Sequence, residues 1–234
     1  MNARTWTMAA LLVLALPAAA LGGPAARDGG KVHYLALGDS YTIGESVAED
    51  MRWPVQLAAR LRADGRDIDA PELVARTGWT TGELAAAIRG RTLRPRYELV
   101  SLLIGVNNQY RGLPIDAYRS EFRALLGVAV AHAGGHAGRV LVVSIPDWGV
   151  TPFAEGRDRA AIGRDIDAFN AVAKAEAAHR GARWVEITDL SRDAARDSAL
   201  VASDGLHPSA AMYRSWLPRL LPAARAALDG ERSR

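Results

Sequence analysis

A serine hydroxyl becomes a nucleophile when a base takes its proton, a third group fixes the base's tautomer, and donors face the oxyanion that forms. With five histidines in the chain, the search for such a base is short. His33 falls in an apolar run and reads as a packed or hydrogen-bonded strand residue. His132 and His136 have the i,i+4 spacing of a metal pair, but Gly134 and Gly135 between them argue against the helix that pair needs, so no metal site is expected. His179 lies near the end of a helical stretch, where the helix dipole favours an imidazolium without any chemistry. His207 is different: it sits in the polar turn Asp204-Gly205-Leu206-His207-Pro208, and Asp204 can reach back from that turn to the imidazole. Ser40, in Gly38-Asp39-Ser40-Tyr41-Thr42, is the candidate nucleophile, because a strand-to-helix turn presents the hydroxyl where a helix N-terminus favours negative charge. By itself such a serine is more commonly a helix N-cap. No G-x-S-x-G occurs, so the nucleophile elbow of α/β-hydrolases is missing.

These residues must be held by elements, and the hydropathy pattern supplies them. Apolar runs of strand length at 32–37, 72–75, 98–104, 139–145 and 183–187 alternate with stretches of helical period at 53–63, 82–88, 115–131, 159–179 and 209–228. The runs around Val100 and Leu141 are apolar on both faces, as strands buried between two helical layers must be, so the sheet is expected to be parallel. Right-handed crossovers then place helices on both sides, and ligands collect at the carboxyl ends of the strands. The segments that follow the strands are Gly38 to Thr42, Thr77-Gly78-Trp79-Thr80-Thr81, Gly105-Val106-Asn107-Asn108-Gln109, Pro146-Asp147-Trp148-Gly149 and the loop holding Asp204 and His207. Polar groups therefore converge on one crevice.

Composition bounds the answer. A chain of 234 residues, 49% hydrophobic and 24% charged, has room for one domain with a full core, expected over 31–228. Cysteine is absent, which excludes a disulfide scaffold, a Cys-ligated metal, a thiol nucleophile and lipid attachment through sulfur. The balance of 29 basic and 26 acidic residues, +3 net, is spread along the chain rather than gathered on one face, so no nucleic-acid partner is expected. Arg4 precedes an apolar run that Pro17 breaks, and Ala18-Ala19-Ala20 supplies small residues for cleavage. Residues 1–20 thus read as a secretion signal, with a lead-in over 21–30, a tail over 229–234, and a mature protein that is periplasmic or extracellular. The apolar run is too short for a bilayer, so no stable membrane insertion is expected after cleavage.

Taken in order, Gly38-Asp39-Ser40, Thr77-Gly78-Trp79-Thr80, Gly105-Val106-Asn107 and Asp204-Gly205-Leu206-His207 resemble the conserved blocks of the SGNH (GDSL-like) hydrolases, and the resemblance spans nearly all of the mature chain. It implies a flavodoxin-like three-layer α/β/α sandwich with a five-stranded parallel sheet, a Ser-His-Asp triad, and no metal or organic cofactor. Carried over by position, Ser40 would attack an ester carbonyl, His207 would serve as base and then acid, and Asp204 would orient it. The Ser40 and Gly78 N–H groups and the Asn107 amide would form the oxyanion hole. Asn108 stands where the family often has aspartate, and an amide is expected to hold that loop by hydrogen bonds. Asp39 is expected to bond loop backbone and fix the serine turn.

The substrate is less legible, because fold and triad do not choose among lipases, lysophospholipases, thioesterases, arylesterases and carbohydrate deacetylases. Tyr41, Trp79, Tyr110, Trp148 and Phe153 fall in or after strand-end loops as candidate pocket walls, and Arg76 and Arg111 as candidate anion contacts. The leading reading is a secreted serine esterase for small acyl or acetyl esters. The alternatives are a lysophospholipase or lipase-like acyl hydrolase, and a non-catalytic carbohydrate- or lipid-binding module on the same fold. A nucleotide-binding domain is disfavoured, because neither G-x-G-x-x-G nor a P-loop occurs.

Overall fold

The computed structural model describes Met1 and residues 30–230. In chain order the elements are β1 (Tyr34–Gly38), α1 (Ser40–Ile43), α2 (Trp53–Ala63), β2 (Glu72–Ala75), α3 (Thr81–Arg89), β3 (Leu99–Leu103), α4 (Val106–Tyr110), α5 (Ile115–His132), β4 (Val140–Val143), α6 (Arg159–Arg180), β5 (Arg183–Val185), α7 (Thr188–Ser191) and α8 (Ala210–Asp229), with short 3-10 turns between some of them. The secretion signal read over 1–20, and most of the lead-in, fall on residues outside the described ones, as does the tail beyond Gly230.

The strands form one parallel sheet in the order β2-β1-β3-β4-β5. After β1 the chain crosses to one side to add β2, then returns over β1 to add β3, so the winding reverses between β1 and β3. A crevice opens at such a reversal, at the carboxyl ends of the strands. The register keeps those ends level: Gly38 pairs with Ala75 on one side and with Leu103 on the other. Residues that follow β1, β2 and β3 therefore emerge together at one edge. Every residue of β1, β3 and β4 is buried, as the two-faced apolar runs require.

Helices cover both faces. α2 and α8 pack together on one side, and α5 and α6 on the other with α3 against α5. Their apolar residues recur at helical spacing, Trp53, Leu57 and Leu61 on α2, Tyr118, Phe122, Leu125 and Ala129 on α5, and Tyr213, Trp216 and Leu220 on α8, so each buries one stripe against the sheet. Local signals set the ends. Thr80 and Glu83 form a capping box on α3, Asp158 caps α6, and Gly181 at φ +80° stops it. The flavodoxin-like sandwich with five parallel strands is thus present as expected.

The differences lie at element ends. Strand runs read at 32–37 and 139–145 outlast their ladders. Val32 makes only an isolated bridge to Ile68, and His33, expected inside a strand, precedes β1 half-buried with Nδ1 3.0 Å from an Asp69 oxygen. At the end of β4, the Ile145 N–H and carbonyl go to the Asn170 side chain at 2.7 and 3.0 Å instead of to a strand. The helix expected directly after Ser40 is the single turn α1, and the brief helices α4 and α7 carry no sequence signal, because each is little more than a turn and has no room for an amphipathic repeat.

Candidate active site

The crevice begins at β1. A Cβ on Gly38 would lie 2.1 Å from Thr42 Oγ1 and 2.5 Å from the Leu103 carbonyl, so only glycine lets the chain turn there. Asp39, not Ser40, is the N-cap of α1: its Oδ1 accepts the Tyr41 N–H at 3.0 Å. Ser40 occupies the first helical position, which corrects the N-cap reading of that serine and agrees with the role expected of Asp39. Asp39 is fully buried and its second oxygen has no partner, so burial pushes its carboxyl up to about 7 against the backbone bond from Tyr41.

The turn that carries His207 is closed by an Ala202 N–H to His207 carbonyl bond of 2.7 Å and by Gly205 at φ +75°. Asp204 Oδ1 accepts the backbone N–H groups of Leu206 and His207, both at 2.9 Å. Its Oδ2 lies 2.6 Å from His207 Nδ1 and accepts the Ser46 hydroxyl at 2.6 Å. Burial alone would raise the Asp204 carboxyl, but these bonds from Ser46, His207 and Leu206 hold it well below the usual carboxylate range. An ionised Asp204 makes Nδ1 the protonated nitrogen and leaves the Nε2 lone pair available as a base. The imidazole is mostly buried, with the Tyr41 ring edge-on at 5.6 Å.

The segments after β2 and β3 meet beside Ser40. Gly78 adopts φ +85°, a conformation glycine takes without strain. Gly105 is at φ +129°, and a Cβ there would lie 2.7 Å from the Tyr118 ring, which explains the glycine ahead of α4. Asn107 donates one amide hydrogen to the Trp79 carbonyl at 2.9 Å, which fixes the amide and leaves its second N–H outside that bond. Asn108 is buried, accepts the Thr81 N–H at 3.0 Å and donates to the Thr81 hydroxyl at 2.7 Å. That hydroxyl spends its own proton on Glu121, so its oxygen needs a donor, which asparagine has and an ionised aspartate lacks. The departure from the family pattern thus has a partner on α5.

Ser40, Gly78, Asn107 and His207 line one cavity of about 160 Å³. Tyr41, Tyr110, Trp148 and Phe153 also line it. Trp79 does not: its ring packs partly buried against the core, and it serves the crevice through its carbonyl. Arg76 is not in the lining either. Arg111 donates to the Gly78 carbonyl and pairs with Glu83, so it supports the glycine turn rather than offering a bare cation. Among the described residues no cluster of three metal-ligating side chains occurs, and His132 sits in the last turn of α5 before Gly134 and Gly135 at positive φ.

Sequence reasoning missed Ser46, Glu45 and Arg157. Ser46 is the one non-glycine residue at positive φ, +64°, among the described residues, and it delivers its hydroxyl to Asp204. Glu45 beside it accepts the Thr77 hydroxyl, so the loop after α1 ties the Gly78 segment to the Asp204 turn. A Gly-Glu-Ser sequence carries no signal for such a contact across 158 positions.

The pattern of the GDSL-like Lipase/Acylhydrolase family matches residues 36–215. No curated protein sequence matches the chain. Solved structures that resemble it include TesA (TM-score 0.65, 21% identity, 84% of this chain and 99% of that one). The acetylxylan esterase Axe2 of Geobacillus stearothermophilus is another (0.66, 19%, 84% and 95%). A third is the psychrotrophic esterase EstA of a Pseudoalteromonas species (0.62, 18%, 85% and 100%), whose structure was solved inhibited by monoethylphosphonate. At these identities the likeness shows a common fold.

Proposed function

The chain belongs to the GDSL-like lipase/acylhydrolase family and is an ester hydrolase, and on that premise we propose that Ser40, His207 and Asp204 are its triad and short acyl esters its substrates. The observation that carries this reading is His207, whose Nδ1 is committed to the Asp204 carboxylate and which lines the same cavity as Ser40, Gly78 and Asn107.

The steps follow from the proton positions. Ser40 Oγ attacks the carbonyl carbon as His207 Nε2 takes the hydroxyl proton, and the carbonyl oxygen becomes an oxyanion facing the Ser40 and Gly78 N–H groups and the Asn107 amide. Asp204 stabilises the imidazolium, which gives its proton to the departing alkoxide as the C–O bond breaks. A water then attacks the acyl-Ser40 carbonyl as His207 Nε2 takes its proton, and the imidazolium returns a proton to Ser40 Oγ as the acyl C–Oγ bond breaks and the acid leaves. Each preset donor is worth about 10²- to 10³-fold in kcat.

The cavity volume supports the substrate class. At about 160 Å³ it falls below the roughly 300–1,000 Å³ of drug-sized pockets, which favours an acetyl or short acyl group over a long lipid chain. Secretion belongs to the same proposal and rests on Arg4, the apolar run after it and Ala18-Ala19-Ala20.

Hydrolysis of p-nitrophenyl acetate, butyrate, octanoate and palmitate by the protein and by Ser40→Ala tests the proposal. Turnover falling with chain length and abolished by Ser40→Ala is expected. Turnover that survives Ser40→Ala removes the triad assignment, and a palmitate optimum removes the short-acyl assignment in favour of a lipase-like enzyme. Binding of oligosaccharide or lipid without any ester turnover favours a non-catalytic module.

A further inference from the structure

The outer wall of the cavity is built from two separate pieces of chain: Tyr110 ends α4, while Trp148 and Phe153 belong to the segment between β4 and α6. Their rings close a triangle, with centroids 5.4 Å apart for Tyr110 and Trp148, 6.0 Å for Trp148 and Phe153, and 6.1 Å for Tyr110 and Phe153. One cation caps it. The guanidinium carbon of Arg157 lies 5.4, 5.3 and 5.2 Å from the Tyr110, Trp148 and Phe153 centroids, and Nη2 donates to the Tyr110 hydroxyl at 3.4 Å. All three rings line the cavity and Arg157 does not, so the guanidinium stands behind the wall.

The three rings are not held equally. Trp148 is 4% exposed, and its indole N–H is anchored on Gln109 Oε1 at 2.9 Å. Tyr110 and Phe153 are 46% and 40% exposed, so burial does little to keep them in place. Each leans on Trp148 and on the other, and Arg157 adds a cation that reaches all three rings. A planar guanidinium can serve several aromatic faces at once, and a ring quadrupole attracts it in each case.

We propose that Arg157 is a positioning residue that sets substrate specificity: by fastening Tyr110 and Phe153 to Trp148 it keeps the cavity closed at short acyl length. The inference rests on the short-acyl reading above and names the device that imposes it. Without the cation, Tyr110 and Phe153 are free to part, and the cavity lengthens between them.

The test uses the full chain with Arg157→Gln, which keeps a polar side chain and removes the charge, and Arg157→Lys, which keeps a cation. The ratio of kcat/KM for p-nitrophenyl octanoate to that for the acetate is expected to rise about tenfold in Arg157→Gln, chiefly through a lower octanoate KM, as three exposed cation–π contacts are lost. Arg157→Lys should restore part of the wild-type ratio. A loss of folded protein would lower both substrates together and leave the ratio in place. An unchanged ratio in Arg157→Gln overturns the proposal. The wild-type ratio separates the two failures: a wild type that prefers octanoate to acetate refutes the short-acyl reading, whereas a wild type that prefers acetate with an unmoved Arg157→Gln ratio refutes only the role of Arg157.

Discussion

Asn108→Asp restores the residue often found at this position in the family, and the structure predicts that it harms this chain. In the native protein the Thr81 hydroxyl gives its proton to Glu121 and receives one from Asn108 Nδ2, while Asn108 Oδ1 takes the Thr81 N–H. An ionised aspartate keeps the last bond only. Two carboxylates then compete for one hydroxyl proton at a site where residue 108 is 1% exposed. Losing the donor and burying an underpaired charge should cost about 2–4 kcal/mol at neutral pH. Burial and the nearby Glu121 would raise the folded-state pKa of the new carboxyl above its unfolded value, so the penalty is absent below the unfolded pKa and grows as pH rises through the folded one. Denaturant midpoints of both proteins between pH 4 and 8 are the assay. A variant as stable as the wild type at pH 7, or a gap that does not widen with pH, would refute the account of Asn108.

Other consequences are as open to measurement. Asn107→Ala should lower kcat by about 10²- to 10³-fold on any substrate turned over through Ser40, and a loss under threefold removes the amide from the oxyanion hole. Ser46→Gly deletes the donor to Asp204 while suiting the left-handed backbone, so stability should hold or rise by up to about 1 kcal/mol. Its more basic Asp204 should move the acidic limb of the kcat/KM profile to higher pH, and an unmoved limb shows that Ser46 does not act through the acid. Asp39 has its folded-state carboxyl raised to about 7, so its contribution to stability is complete below pH 4 and lost as pH rises towards 7. Asp39→Asn should therefore gain on the wild type across that range, and parallel stability curves for the two proteins count against the burial argument.

Much of this was legible in the sequence because period and polarity change together at the strand ends. The uncharged runs of β1, β3 and β4 announce a sheet buried on both faces, and glycines and polar residues directly after them mark one edge. His207 was separable from the other histidines by its turn alone, and the turn does bring Asp204 to its Nδ1. What was not legible depends on contacts between distant segments. The Asn107 amide and Trp79 show this: both lie after strands, yet the Trp79 carbonyl rather than its ring meets the crevice, which no local pattern encodes. Ser46 and Arg157 were missed for the same reason: Ser46 meets Asp204 only when the loop after α1 reaches the His207 turn, and Arg157 meets Tyr110 only when α4 packs beside the segment between β4 and α6. The reading of residues 1–20 as a secretion signal rests on the sequence, since those residues lie outside the described ones apart from Met1.

The central claim is that Ser40 forms the covalent bond to substrate, and the most direct measurement is the site of phosphonylation. Incubation with a p-nitrophenyl alkylphosphonate should release one equivalent of nitrophenol as Ser40 Oγ displaces it at phosphorus, and peptide mass mapping should place the adduct on the peptide holding Gly38-Asp39-Ser40. His207→Ala should slow that labelling steeply, and Ser40→Ala should abolish it. Stoichiometric labelling at any other residue, or labelling that persists in Ser40→Ala, would contradict the account.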